Sequence, residues 1–325
     1  MSKCTEVARG YKMQGSTEFE HIKIDKSEPV VLVTGVGGQL GYDVANQLLS
    51  RGYKVIGTDI KDHLSDITSG NYTYTRLDVT DKAAVAHAIS MAQPCAVIHC
   101  AAWTNVDGAE DAGAIVWDIN ATGTENIAMA CHSIGSKMVY ISTDYVFDGQ
   151  GCEPYLPDSK NFGPTNVYGR SKLAGEMAVS KLLSKYYIIR TAWVFGEHGK
   201  NFVNTMLKLG STKSELCIVD DQIGTPTYTK DLARLICDLI KTELYGYYHA
   251  TNEGGYISWY EFACEIMKQA GLGTVLRPVS TKEYGLSKAN RPLNSRLDKS
   301  KLVEVGLEPL PNWKDALSRY LKNIM

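Results

Sequence analysis

The chain of 325 residues reads as an α/β protein, a doubly wound parallel sheet with a smaller mixed C-terminal lobe. Three observations predict this. Short, continuously apolar, β-branched runs alternate with helical patterns from Pro29 to Phe195, as strands do in a parallel sheet covered on both faces. A glycine-rich stretch, Gly35-Val-Gly-Gly38-Gln-Leu-Gly41, lies between the first such run and the first helical pattern. Beyond Phe195 the alternation stops, and Pro226, Pro278, Pro292, Pro309 and Pro311 punctuate mixed helical and extended pieces.

Taken in order, Pro29 to Thr34 is a buried strand bounded by proline and glycine. Tyr42 to Arg51 places Val44, Ala45, Leu48 and Leu49 at helical spacing, and Gly52 ends it. Lys54 to Asp59 is the second strand and Tyr72 to Asp78 the third. A helix follows with Thr80 as its N-cap. Ala96 to His99 is strand four, Ala114 to Ile134 contains a long helix, and Lys137 to Ser142 is strand five. Tyr168 to Leu183 is helical, and Tyr187 to Arg190 is strand six. In the second half, Ser258-Trp-Tyr-Glu261 is a capping box opening a helix to about Ala270. Trp313, Leu317, Tyr320, Leu321 and Ile324 form the apolar stripe of a last helix.

This order fits a Rossmann-type dinucleotide fold. The expected organisation is a dinucleotide-binding domain over 29–195 and, over 196–325, mainly a substrate-binding lobe closing on the C-terminal ends of the strands. No clean linker separates them, so the two are read as interleaved. Residues 1–28 are polar and lack the apolar core of a signal peptide. They are read as an extension, disordered or a leader, and set aside.

The apolar share of 44%, charged share of 22% and net charge of −2 are those of an ordinary globular protein. They point to no nucleic acid or membrane partner, and no apolar run is long enough to cross a bilayer. The eight cysteines contain no C-x-x-C pair, which favours free thiols in a reducing cytoplasm over disulfides or zinc.

The glycine spacing carries the first chemistry. Gly35 turns the chain out of the strand, Gly38 lets backbone approach a pyrophosphate, and Gly41 lets the helix pack close to the sheet. With Gln39 and Leu40, these residues set a helix N-terminus, with its free N–H groups and positive dipole end, against the phosphates. A P-loop would need Lys then Ser or Thr after the last glycine; Tyr42-Asp43 follow instead. Asp59, ending the second strand, is placed to accept hydrogen bonds from the adenosine ribose and favours NADH over NADPH, an effect Lys61 partly offsets. Asp78 and Val79 flank the adenine, and Ala101 and Ala102 are small enough to let the cofactor pass.

The second chemistry is proton delivery. Thr143 stands at a strand end, and Tyr168 and Lys172 are one helical turn apart on a shared face. Tyr168 is the candidate proton donor to a carbonyl oxygen, Lys172 favours its ionisation and holds the nicotinamide ribose, and Thr143 orients the oxygen. Among 19 tyrosines a Y-x-x-x-K spacing arises about once by chance. It occurs at Tyr168/Lys172 and at Tyr284/Lys288; the latter, among turn residues with no strand-end hydroxyl before it, is read as a coincidence.

These motifs resemble the extended short-chain dehydrogenase/reductases from about Pro29 to Met325, and within them the dTDP-4-dehydrorhamnose reductase family. The carriers are residues 34–41, Ala-Ala-Trp-Thr-Asn-Val-Asp (101–107), Ser-Thr-Asp-Tyr-Val-Phe-Asp-Gly (142–149), Tyr-Gly-Arg-Ser-Lys-Leu-Ala-Gly-Glu (168–176), Arg-Thr-Ala-Trp-Val-Phe-Gly (190–196) and Arg-Pro-Leu-Asn-Ser-Arg-Leu-Asp (291–298). The resemblance implies a catalytic triad of Thr143, Tyr168 and Lys172. It implies a sugar site at Thr104, Val106, Asp144, Tyr145 and Trp193, and Arg291 is a candidate for the substrate's pyrophosphate. The implied reaction is reduction of the C4 ketone of dTDP-4-dehydro-L-rhamnose by NADPH or NADH, in nucleotide-sugar and cell-surface polysaccharide biosynthesis. The resemblance also allows a homodimer. Some members hold a divalent metal at a dimer contact through an acid two places after the third glycine; here that place holds the shorter Asp43, and no metal is expected.

Two rivals differ in class. An epimerase or dehydratase of the same fold recycles its hydride, but Asp144-Tyr145 is not the acid–acid pair a dehydratase wants. A non-catalytic regulatory subunit, like that of methionine adenosyltransferase, shows that such a fold also serves as a binding partner.

Overall fold

The computed structural model describes residues 29–64 and 67–325, so the reading of residues 1–28 lies outside the described residues. Strands β1 (Val30–Thr34), β2 (Lys54–Asp59), β3 (Tyr72–Arg76), β4 (Ala96–His99), β5 (Lys137–Thr143) and β6 (Tyr186–Thr191) alternate with α1 (Gln39–Ser50), α2 (Lys82–Ala92), α3 (Val106–Ala109), α4 (Gly113–Trp117), α5 (Gly123–Ile134) and α6 (Val167–Leu182). Then follow β7 (Val194–Phe195), α7 (Phe202–Gly210), β8 (Glu215–Val219), β9 (Ile223–Gly224), β10 (Thr227–Tyr228) and α8 (Thr229–Leu239). The chain ends with β11 (Gly246–His249), β12 (Ile257–Ser258), α9 (Trp259–Ala270), β13 (Val275–Val279), α10 (Thr281–Tyr284), α11 (Ser300–Glu304) and α12 (Trp313–Ile324).

The main sheet has seven parallel strands in the order β11-β6-β5-β4-β1-β2-β3. Strand order reverses at β1/β4, which opens a crevice at the strands' C-terminal ends. Along β1, Val31 and Val33 pack on one face with Val44 and Leu48 of α1 and Leu232 and Ile236 of α8. Val30 and Leu32 pack on the other with Ile89 of α2, Ile127 of α5 and Val179 of α6. Burial on both faces is why these strands read as continuous apolar runs. The edge strand β11 comes from 246–249, so the sheet draws on chain from both sides of residue 195.

The remaining elements gather around Phe195, Val203, Phe262, Ile266, Trp313, Leu317 and Tyr320. The Ser258 capping box is present with both reciprocal bonds. Trp313, Leu317, Tyr320 and Leu321 form the buried stripe of α12; Ile324 is exposed.

Three local expectations change. Helix α1 begins at Gln39 rather than Tyr42, because the glycine loop runs directly into it; its N-cap, Gly38, offers no side-chain cap. Helix α2 is capped by Asp81, which accepts from the backbone of Ala83 and Ala84 at 3.0 Å each. The Thr80 hydroxyl is taken by Asp78 instead. Between α4 and α5 the chain runs as a π-helical turn, Asp118–Thr122. That turn carries Asn120, whose side chain bonds Trp103 N, Trp103 O and the Ser171 hydroxyl. It ties the loop after β4 to α6.

Candidate active site

A cavity of about 560 Å³ opens where the strands end. Its floor is Thr34 of β1, Thr58 and Asp59 of β2, Cys100 after β4, Ile141 to Thr143 of β5 and Thr191 of β6. One wall is the glycine turn and the start of α1; the other is Tyr168 and Lys172 of α6. Trp193 and Trp259 close it from the second lobe.

Every residue expected to hold the cofactor lines this one cavity: Gly35, Gly38, Gln39, Leu40, Gly41, Asp59, Asp78, Val79, Ala101, Ala102, Tyr168 and Lys172. The turn out of β1 depends on Gly35, which adopts φ +70; a Cβ there would stand 2.7 Å from Ala101 N. At Gly41 a Cβ would land on the carbonyl oxygen of Gly35, so helix and turn touch only because both side chains are absent. Gly41→Ala is therefore expected to push α1 off the turn. It should cost about 1–3 kcal/mol of stability and weaken NADPH binding roughly tenfold, read by thermal melts and coenzyme fluorescence titration. The Asp59 carboxylate accepts from Gly37 N at 3.0 Å and Lys61 N at 3.4 Å. It is thus fixed against the turn by backbone donors.

Strand β5 delivers Thr143 to the floor, and α6 delivers Tyr168 and Lys172 to the adjoining wall of the same cavity. The start of α6 is set by Asn166, which accepts from Gly169 N at 2.7 Å and donates to Asn290 O at 2.8 Å. Thr143 accepts from Tyr145 N and donates to Asp144 Oδ1 at 2.9 Å. The single hydroxyl proton of Thr143 therefore points at Asp144, and donating it to a substrate oxygen requires a turn about one bond. Burial holds the Tyr168 phenol well above its ordinary range, reinforced by Asp144 and Tyr145, with the polar Thr143 hydroxyl acting the other way. Lys172, expected to ease that ionisation, lies with its ammonium 4.1 Å from the Tyr140 ring centroid. Burial pushes it down to about 7, with Glu176 opposing.

Of the residues expected at the sugar, Thr104, Val106, Asp144, Tyr145 and Trp193 all line the cavity. Asp144 is buried, accepts from the Ser295 hydroxyl as well as Thr143, and is pushed up to about 6 by burial. Tyr145 meets Tyr168 edge to face with centroids 5.8 Å apart. Trp193 sits at φ +50, a strained backbone for a bulky residue. Its ring stacks on Trp259 at 3.7 Å, and a Cβ on Gly224 would come within 2.9 Å of it.

Arg291 is the exception. It does not line the cavity; its guanidinium pairs with Asp107 at 2.7 Å and reaches the Tyr145 hydroxyl at 3.5 Å. Asp107, on α3, holds the guanidinium in a charge-assisted hydrogen bond that a phosphate would have to displace. The Tyr284/Lys288 spacing is not a helical pair at all. Gly285 ends α10 in a left-handed conformation, and Lys288 pairs with Asp111.

Among the lining residues to which the sequence reading gave no place in the site are Trp259 and Lys200. Trp259 was visible only as the first residue inside a capping box. Its role depends on the second lobe folding back against Trp193. As for a divalent metal, Asp43 is buried with Oδ2 unpartnered, and burial raises its carboxyl. Its surroundings hold the Lys230 ammonium, which pairs with Glu197 at 2.7 Å. Among the described residues no three metal-ligating side chains cluster.

Residues 29–325 match the family described as the RmlD substrate binding domain. Over 292 residues the chain is 42% identical to the spore coat polysaccharide biosynthesis protein SpsK of Bacillus subtilis (strain 168), covering 90% of this chain and 96% of that protein. It is 40% identical over 298 residues to a dTDP-4-dehydrorhamnose reductase of Streptomyces griseus, covering 89% and 92%. The crystal structure of dTDP-4-dehydrorhamnose reductase from Bacillus anthracis str. Ames in complex with NADP is similar at a TM-score of 0.83 and 40% identity, covering 91% of this chain and 99% of that one.

Proposed function

The chain belongs to the RmlD substrate binding domain family, and on that premise we propose that it reduces the C4 ketone of dTDP-4-dehydro-L-rhamnose to dTDP-L-rhamnose with NADPH or NADH. It is an NAD(P)H-dependent oxidoreductase acting on a nucleotide-linked sugar. The observation that carries this reading is that Thr143, Tyr168 and Lys172 share one cavity with the glycine turn and Asp59. When bound, the reduced nicotinamide supplies hydride to the carbonyl carbon.

The chain's own residues do the rest. The uncapped start of α1 and the Gly35 turn present backbone N–H groups to a pyrophosphate. Asp59 takes the adenosine ribose, and Asp78 and Val79 flank the adenine. Tyr168, kept protonated by burial, gives its proton to the C4 oxygen as charge develops there. Thr143 fixes that oxygen's position, and Lys172 holds the nicotinamide ribose. Trp193, backed by Trp259, gives the sugar a flat apolar wall. Thr104, Val106, Asp144 and Tyr145 supply the remaining contacts. Arg291 joins the pyrophosphate site only by exchanging Asp107 for phosphate.

The described cysteines are all free, and among the described residues no helix is long and apolar enough to cross a membrane. The free thiols support a cytoplasmic site of action. A homodimer is part of the same proposal.

The deciding assay follows the near-ultraviolet absorbance of the reduced nicotinamide with dTDP-4-dehydro-L-rhamnose, run separately with NADH and NADPH. Stoichiometric consumption of coenzyme is expected. Turnover of the sugar without net consumption would replace the reductase by an epimerase or dehydratase. Binding of coenzyme with no turnover would favour a regulatory subunit.

A further inference from the structure

We propose that Glu176 is a positioning residue for the proton-delivering pair: one buried carboxylate shared between two buried cations, Lys172 and Arg190, whose division between them decides how firmly the Lys172 ammonium stays charged in the cavity. The inference rests on the reading of Tyr168 and Lys172 given above.

Tyr168, Lys172 and Glu176 follow one another at four-residue spacing on α6, so they share its inward face. Lys172 is 3% exposed and Glu176 1%. The lysine makes no ion pair among the described residues and rests on the Tyr140 ring, itself held because Tyr140 donates to the Lys172 carbonyl at 3.2 Å. A buried ammonium without a hydrogen-bonded counter-ion needs a charge nearby.

The groups around it leave one source. From the end of β4 and the residue after it come His99 and Cys100. His99 is held between Thr34 and Thr124 and pushed by burial to about 3, hence neutral. Cys100 is pushed up to about 12 and is a thiol. From β5 come Tyr140 and Thr143, and just after it Asp144, whose charge acts on Tyr168. From α6 come Tyr168, a neutral phenol, and Glu176. Glu176 is thus the carboxylate that sustains Lys172, and its influence on the lysine is in that direction.

That carboxylate is also fully engaged elsewhere. Arg190 grips it with Nε at 2.8 Å and Nη2 at 2.7 Å, and Ser142 donates to Oε1 at 2.5 Å. Arg190 is 1% exposed, with its guanidinium 4.9 Å from the Phe147 ring centroid and 4.8 Å from that of Tyr247. Its remaining neighbours are the Pro157 carbonyl and His249, which burial and Arg190 itself keep neutral. Two cations therefore draw on one anion in a region without water-like screening. Ser142 lines the cavity beside Thr143, so the same carboxylate also clamps the β5 end to the face of α6.

The test is the pH dependence of kcat/KM for the coenzyme, which reports groups on the free enzyme. Activity falls as pH rises through the Lys172 limb. Glu176→Gln keeps the shape and removes the charge, so that limb should move down by about one pH unit, a roughly tenfold loss of proton affinity. Arg190→Met removes the competitor and should move the limb up by a similar amount. A purely structural role would not shift the two variants in opposite directions. Glu176→Gln leaves Arg190 unpaired and is at risk of misfolding, so the double variant Glu176→Gln/Arg190→Met is measured too and should show the downward shift. Limbs that stay at the wild-type position, or move the same way in both single variants, would overturn the proposal. A wild-type protein that oxidises no coenzyme would instead overturn the functional reading on which it rests.

Discussion

Tyr168→Phe is expected to fold, melt like the wild type and bind coenzyme, yet turn over ketone roughly 10²–10⁴-fold more slowly, the range of a lost general acid. The substitution removes one oxygen. That oxygen's nearest polar influence is the Thr143 hydroxyl, so the stability change should stay within about 1 kcal/mol. The ring keeps its edge-to-face contact with Tyr145 at 5.8 Å, which preserves the wall of the sugar site. Lys172 and the glycine turn are untouched, so coenzyme affinity should hold within a factor of a few. The loss should fall on kcat with little change in KM, because the proton transfer exists only in the transition state. Full turnover by this variant, measured by coenzyme oxidation, would remove Tyr168 from the mechanism.

Lys172→Met should lose activity by a comparable factor and become more stable at the same time. Burial depresses the folded-state affinity of Lys172 for a proton to about 7, against an ordinary value of 10.5. Between those two values the unfolded chain binds a proton that the folded chain does not. Stability therefore falls as pH drops from 10.5 to 7, and the full cost persists below 7. That cost is on the order of a few kcal/mol near neutrality. Met has a similar length and no charge, so it keeps the contact with the Tyr140 ring and removes the penalty; the net gain should be about 1–3 kcal/mol after imperfect packing. Thermal melts across pH would show the variant's advantage greatest at and below neutrality and fading towards pH 10.5. A variant that melts below the wild type at every pH would mean that Lys172 is not paying a burial cost. The pairing of lost activity with gained stability is the mark of a group retained for chemistry.

Much of this was written locally in the chain. The apolar runs of the leading strands, the three-residue glycine spacing and the four-residue spacing of Tyr168 and Lys172 are short-range patterns, each read within one element or turn. Burial on both sheet faces makes the central strands β1 and β4 almost continuously apolar, whereas the edge strand β3 buries only Thr75, and backbone crowding around Gly35 and Gly41 excludes any side chain. These constraints act on the residue that shows them, so the fold could be read, and candidate cofactor and proton-delivery residues proposed, without coordinates.

Tertiary structure decided what depends on partners far away in sequence. Arg291 looked free for a phosphate until α3 brought Asp107 against it. The Trp193 indole lies between Trp259 and Gly224, whose lack of a side chain leaves it room, both supplied by the second lobe. Helix α2 took Asp81 as its cap because Thr80 was engaged by Asp78. The charge on Lys172 is governed by Glu176, which Arg190 and Ser142 also claim. Hydrogen bonding and charge sharing are competitions among all groups within reach. A linear sequence names the competitors but not their distances, and only the packed chain settles which pairs form.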